Sequence, residues 1–341
     1  MKINKESFLK VLNTVAPALS EKAMIEGTDR FIFIGNKIVT YNDRICIFVP
    51  FKFDWKCSLP AKELRGIISA IKEEEIDFDL VDGKMTMNTA GTESVLSVFE
   101  SDDVLKMVDS LNLKSIKNNW KELPGGFSQG ANLCMFSVSR DVSSKYLSSL
   151  FFQDNKIVSS DDIRVSSYEM DGEVKDPFLL PYYIVPDLLK FDFVKYFLGD
   201  SWVYFSTEEG LLFCCRRVIA DYPEMDKFFN IKGKRVRLPK DLKQLVDGIS
   251  TIAEGDFEVD QKIKVTIGNE KIKCKAEKSI AKIKQEMDIK YRGKEFSFFI
   301  NPTFFSQILE KSTIMICGEN RAEFVSGSFK HLLLFFNEPK K

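Results

Sequence analysis

Residues 157–170 read IVSSDDIRVSSYEM, two strand-like runs on either side of an aspartate pair, with Arg164 inside the second run. Strand side chains alternate between faces, so a guanidinium at that point either meets solvent or has a specific partner. Similar punctuation recurs outward from this hairpin. Turn signals stand at Gly35-Asn36, Asp82-Gly83, Asp154-Asn155, Glu209-Gly210, Gly268-Asn269 and Gly318-Glu319-Asn320. These residue types tolerate the positive φ that tight hairpins demand. The flanking runs, among them RFIFIGNKIVTY, IDFDLVDGKMTMN and WVYFSTEEGLLFCC, alternate or run apolar as strands do.

An amphipathic helix pattern precedes each turn: NKESFLKVLNTVA, LPAKELRGIISAIKE, LPGGFSQGANLCMF, VPDLLKFDFVKYFLGD, LPKDLKQLVDGISTIAEG and NPTFFSQILEKS. Several begin with proline, whose missing N–H costs nothing in a first helical turn. In the second pattern Leu64, Ile67, Ile68 and Ile71 share a helical face, with Lys62, Arg65 and Lys72 opposite. Long and short helix-to-turn spacings alternate, so the repeating object is a pair of units. Its first helix recurs near residues 5, 124 and 239, and its second near 60, 186 and 302. Self-similarity on that scale predicts three similar domains, 1–113, 114–234 and 235–341, each packing two helices on antiparallel sheet in an α+β chain.

Composition limits the function. With 341 residues, 44% hydrophobic and 29% charged, the chain is expected to be globular and multi-domain. MKINKESFLK has no signal-peptide apolar run and no stretch reaches membrane-span length, so a cytoplasmic protein away from membranes is expected. Seven scattered cysteines fit reduced thiols better than a disulfide frame or zinc site. A net charge of −1 excludes only a tight, charge-driven nucleic-acid binder. The lysine, isoleucine, asparagine and phenylalanine bias is that of an AT-rich genome, a bacteriophage's among them.

Catalytic constellations are missing from the sequence. The one histidine, His331, sits in a strand-like run without a serine or cysteine triad motif around it. Cys214-Cys215-Arg216-Arg217 continues an apolar strand, which favours buried structural thiols over a reactive one. EEEIDFD reads as a solvated strand face, and no phosphate-binding glycine loop is found. No catalytic residue, cofactor or metal is expected, and an unrelated α+β enzyme is the alternative outside this reading.

Four stretches resemble the β sliding clamp of bacterial DNA polymerase III: SLPAKELRGIISAIKEEEIDFDLVDGKMTMNTAGTESVLSVF, FSVSRDVSSKYLSSLFFQDNKIVSSDDIRVSS, DYPEMDKFF and INPTFFSQILEKSTIMICGENRAEFVSGSFKHLLLFF. The resemblance implies the DNA clamp fold, three domains per chain and a homodimeric ring around duplex DNA. It implies a processivity factor for replication, not an enzyme, which tethers DNA polymerase and clamp loader through short linear peptides. A clamp-fold module that binds partners without encircling DNA is the alternative within that fold.

By resemblance the peptide cleft takes Ser160, Asp161, Asp162, Ile163, Arg164 and Val165, joined by Leu147, Pro223, Lys227 and Phe228, with Leu334 and Phe336 from the last strand. Leu147, Val165, Pro223 and Phe228 would form an apolar pocket, with Arg164 and Lys227 as cations for a peptide carbonyl or carboxylate. Asp162 stands where the family has glycine, and Ile163 where it has histidine, which implies altered partner preference. A positive lining for the hole is expected from Lys10, Lys62, Arg65, Lys72, Arg140, Lys145, Lys190, Lys195, Lys240 and Lys243 on helix faces, with Lys5 beside them. Such contacts meet phosphate only and carry no sequence information. The ring's closing edges are expected in ESVLSVFESDDVLKMV and the end of LVDGISTIAEG.

Overall fold

A computed structural model of the chain describes every residue except 23, 100, 101, 112, 117, 118, 254, 256 and 338–341. Its contacts form two compact units, Met1–Leu123 with Tyr183–Ile219, and Pro124–Tyr182 with Ala220–Lys341.

The first unit holds two antiparallel sheets. One runs β1 (Lys2–Asn4), β6 (Glu75–Val81), β7 (Lys84–Asn88), β8 (Glu93–Ser97) in spatial order. The other runs β5 (Cys57–Pro60), β2 (Arg30–Ile34), β3 (Lys37–Tyr41), β4 (Ile45–Pro50), β14 (Leu212–Arg216), β13 (Trp202–Ser206), β12 (Lys195–Leu198), β9 (Lys121–Glu122). Helices α1 (Lys5–Val15) and α2 (Ala61–Ala70) pack on each other, and α3 (Asp102–Ser110) and α5 (Val185–Leu188) complete the unit. Asn4 caps α1, its side-chain oxygen accepting from Ser7 N–H at 3.0 Å. Phe8 of α1 is buried against Phe33 of β2 and Phe78 of β6, meeting Phe78 edge to face at 5.3 Å.

The second unit repeats the scheme. Its longer sheet runs β10 (Ser149–Ser160), β11 (Arg164–Pro181), β22 (Phe329–Leu334), β21 (Arg321–Ser326), β20 (Ile314–Cys317), β15 (Lys234–Arg237). Its shorter sheet runs β18 (Ala281–Asp288), β17 (Lys271–Lys278), β16 (Ile263–Gly268), β19 (Phe296–Ile300). Helix α4 (Phe127–Cys134) lies on β10 and β11, while α6 (Leu242–Ser250) packs on α7 (Pro302–Leu309). Asn301 caps α7 as Asn4 caps α1, accepting from Phe304 N–H at 3.0 Å.

Four expectations need correction. The fourth helix pattern is helical only over Val185–Leu188, because the aromatic run Lys195–Leu198 pairs as a strand with β13 and β9. Aromatic residues favour that pleated setting, and Tyr196 is fully buried in it. Asp154-Asn155 does not reverse the chain. Asp154 has φ 50° at register shifts inside β10, and the reversal comes at Asp162-Ile163. Third, Asp102–Ser110, part of a segment expected to form a closing edge, is a helix with Val104 and Val108 buried. The Gly268-Asn269 turn falls one residue later, at Asn269-Glu270. The tight turns at Gly35-Asn36 and Asp82-Gly83 form where expected, with positive φ at all four residues.

Phe213 is fully buried on β14 opposite Ile47 of β4, and packs on Phe191 and Phe193. Phe213→Ala is expected to cost about 3–5 kcal/mol in denaturant unfolding. A loss under about 1 kcal/mol would contradict this packing.

Candidate functional site

The hairpin that joins β10 to β11 sets the site. Asp161 Oδ1 accepts the N–H groups of Ile163 and Arg164 at 3.2 and 3.0 Å, and Asp162 supplies the left-handed residue at φ 71°. Ser160 Oγ donates to the Arg164 carbonyl at 2.9 Å and accepts from Asp162 N–H at 3.2 Å. Aspartate suits both duties, since its short side chain bonds its own turn and it tolerates positive φ. With the turn fixed, strand alternation decides which way each neighbour points.

Directly paired residues share a face of a sheet. Val165 pairs with Ser160 and Leu332, which places these side chains on one face. Arg164 pairs with Leu333, on the other. That other face carries the helices, as the packing of Phe305 of α7 on Phe324 shows. Arg164 is accordingly 6% exposed. Its Nε donates to Asp161 Oδ2 at 2.8 Å, its Nη1 donates to Gln307 Oε1, and the guanidinium lies 4.0 Å from the Phe304 ring centroid. Burial lowers its pKa while Asp161 opposes the shift. The arginine is therefore engaged between turn and helix α7 and does not line the face that carries Val165, contrary to expectation.

On the Val165 face an apolar cluster gathers Val158, Val165, Met225, Phe229 and Leu332, with Tyr222, Phe228 and Ile231 packed against it. Beside it opens a cleft of about 360 Å³, lined by residues 153–156 and 222–226 with Phe151 and Val158. Tyr222 stacks on Phe151 at 4.7 Å and meets Tyr146 edge-on at 6.2 Å. Burial raises the Tyr222 phenol pKa, and its hydroxyl has no hydrogen-bond partner among the described residues. Lys156 and Asp226 form an ion pair at the rim.

Of the expected cleft residues, Val165 is in the cluster, Phe228 packs against it, and Pro223 lines the adjoining cleft. Asp162 is exposed, Ile163 half-buried, and Lys227 exposed with its ammonium 5.3 Å from the Phe228 ring centroid. Leu334 closes β22 with its side chain exposed, opposite Arg321. Leu147 is buried outside the cluster, and Phe336 bridges instead to Phe299 of the shorter sheet. Val158, Tyr222, Met225, Phe229, Ile231 and Leu332 were missed. Val158 follows from counting back through the correct turn, and Tyr222, Met225 and Phe229 lie in the same DYPEMDKFF run.

His331 lies on the helix face, fully buried against Phe136 at 4.9 Å. Its Nδ1 is 2.8 Å from Ser166 Oγ, which is 2.6 Å from Ser137 Oγ. The histidine thus has hydroxyl neighbours that the sequence did not reveal. It is sealed from solvent, and burial, with Arg164 and Lys311 nearby, lowers its pKa well below the usual range. Cys214 and Cys215 are also fully buried, which pushes both thiol pKa values up, away from nucleophilic chemistry.

The expected DNA-facing cations are less uniform than helix faces imply. In the first unit Lys10, Lys62 and Arg65 are exposed on helices, but Lys72 lies past the end of α2 and Lys195 on β12, 5.3 Å from the Trp120 ring centroid. Lys10 and Lys190 line one groove of about 720 Å³ together with Asp192, Glu208 and Glu209. Lys190 is paired with Asp187 at 2.6 Å, and Lys5 donates to the Ile71 carbonyl at 2.6 Å. In the second unit Arg140 stacks over Tyr182 at 4.6 Å, and Lys145 and Lys240 are exposed in turns. Lys243 is paired with Asp247 at 2.7 Å and Glu310 at 3.4 Å.

No protein-family model and no curated protein matches the sequence. Solved structures do. The chain superposes on the β subunit of DNA polymerase from Streptococcus pyogenes with TM-score 0.84 at 18% identity, over 98% of this chain and 99% of that one. A sliding clamp from Pseudomonas aeruginosa bound to griselimycin gives 0.84 at 14% identity, over 99% of both chains. The Helicobacter pylori β clamp, in complex with 3,4-difluorobenzamide, gives 0.82 at 14% identity, again over 99% of both. At such identities the likeness is one of fold, and the chain has the sliding-clamp fold from end to end.

The sequence has a single histidine, so its linkage to stability can be isolated. Above pH of about 6.5 His331 is neutral in both folded and unfolded chains and contributes no slope. Below it the unfolded chain takes up a proton that the buried ring refuses, so stability falls as pH falls. Unfolding free energy is expected to drop between about pH 6.5 and 5.5 with a slope approaching 1.4 kcal/mol per unit. The slope should vanish in His331→Gln. A flat wild-type profile would place a protonatable ring there instead.

Proposed function

We propose that this chain is a DNA sliding clamp, a non-catalytic processivity factor. Two copies close into a ring around duplex DNA and tether a DNA polymerase and a clamp loader through short peptides. The observation that carries this reading is the end-to-end agreement of the fold with solved polymerase III β subunits. The paired-unit repeat supports a division into three domains, 1–113, 114–234 and 235–341. No helix among the described residues is long and apolar enough to cross a membrane, which suits a protein acting on DNA in the cytoplasm.

A topological tether explains the modest charge. A closed ring needs no tight grip on phosphate, and strong contacts would slow sliding. In this reading the ten basic residues from Lys10 to Lys243 act as a weak, sequence-blind lining, with ion-paired Lys190 and Lys243 contributing least. Strands β8 and β18 each end a sheet. Val95 on β8 is 51% exposed. Joining the two edges across a homodimer would cover both and close the ring. Two residues of the first expected closing segment and one of the second lie outside the described residues.

The peptide site of this reading is the apolar cluster around Val165 and Phe228, with the cleft at Pro223 beside it. The cluster is aliphatic and aromatic, which fits a peptide anchored by apolar side chains, while Gln153, Asp154, Asn155, Lys156, Glu224 and Asp226 give the cleft beside it a polar rim. Lys227 at the rim offers a cation to the peptide backbone or carboxylates. Phe228→Ala is expected to weaken a synthetic peptide with a leucine-phenylalanine anchor about tenfold in fluorescence anisotropy, with thermal unfolding unchanged. Equal affinity in wild type and variant would place the site elsewhere.

A further inference from the structure

We propose that the open face of the longer sheet extends the cleft into a second recognition surface, which takes an acidic extended segment flanking the anchor of the bound peptide. The inference rests on the peptide-cleft reading.

Register carries the argument. Val165, Leu332, Glu323, Ile316 and Arg235 pair in succession and form one row across β11, β22, β21, β20 and β15. The next row on the same face is Ser167, Lys330, Val325, Ile314 and Arg237. The cleft floor and two arginines of the edge strand thus share one face, opposite the helices. Val158 of the cleft pairs with Ser167 and so stands in the second row. With neighbouring strands about 4.8 Å apart, Arg237 lies five spacings, about 24 Å, from Val158, the reach of about seven extended residues.

The rows change character along that path. Near the cleft they are covered: Glu323 is 2% exposed, and its Oε2 accepts from Ile231 N–H at 3.1 Å. The only carboxylate of the two rows is thereby committed to holding the segment above it. Beyond Ile231, Ile314, Ile316 and Val325 are half-buried, and Arg235 and Arg237 are exposed, their guanidinium groups without an ion pair or hydrogen bond among the described residues. Glu319, in the β20–β21 turn, lies off these rows. Charged side chains commonly guard a sheet edge against aggregation. That accounts for cations on β15 but not for the apolar strip between them and the cleft. Aliphatic residues fit that strip, and carboxylates suit guanidinium groups beyond it.

The test uses full-length protein and fluorescein-labelled synthetic peptides sharing one leucine-phenylalanine anchor. The anchor is flanked, on its amino or carboxyl side, by a run of glutamates or of serines. One glutamate peptide is expected to bind about fivefold to tenfold tighter than its serine counterpart at low salt. The preference should vanish at high salt and in the Arg235→Glu/Arg237→Glu double variant, whose affinity for the serine peptide stays at the wild-type value. Equal binding of glutamate and serine peptides, with Phe228→Ala still weakening both, overturns this inference and leaves the cleft reading standing. No binding of any anchored peptide overturns both. A glutamate preference that survives the double variant overturns the assignment to these arginines.

Discussion

The pairing of β11 with β22 is the constraint on which the rest of the second unit depends. It joins a hairpin from the middle of the chain to the last strand, residues more than 150 positions apart. Once the register is set at Val165 opposite Leu332, every neighbour's direction follows, since a one-residue slip would exchange the two faces. Arg164 and His331 go to the helices, while Val165, Leu332 and Val158 go to the open face. Asp161 enforces this alignment by binding both the backbone and the guanidinium of Arg164. The hairpin at residues 161–164 is thus a positioning device. Its arginine ties the turn to α7, and Val165 beside it joins the apolar cluster next to the cleft.

The same alternation separates two chemistries. On the helix face, polar groups are buried and bonded to one another, Ser137 with Ser166 and Ser166 with His331 Nδ1, while His331 Nε2 has no partner among the described residues. On the open face, apolar side chains remain beside a cleft and a strip that only a partner would cover. Their setting on paired strands gives that surface a rigidity a loop could not supply.

Much of this was legible in the sequence. Helices α1, α2, α6 and α7 announce themselves by apolar spacing, and two begin at an asparagine cap. Gly35-Asn36 and Asp82-Gly83 mark their turns because few other pairs adopt that backbone. The failures share a cause. VKYFL carries apolar residues compatible with either period, and only its strand neighbours decide between them. Asp154 has the residue type of a turn but serves a bulge, because residue type reports the φ value and not what the chain does next. Arg164 could be seen to point away from Val165, yet nothing local says which face the helices cover. Val165 and Phe228 fall in and against the apolar cluster on the open face, whereas Leu147 and Phe336 lie in other surroundings.

The central claim, a ring closed by two chains, is tested most directly by negative-stain imaging of the purified protein at several concentrations. The account predicts closed two-chain rings with a hole wide enough for duplex DNA. Monomers or compact particles without a hole at every concentration would contradict it.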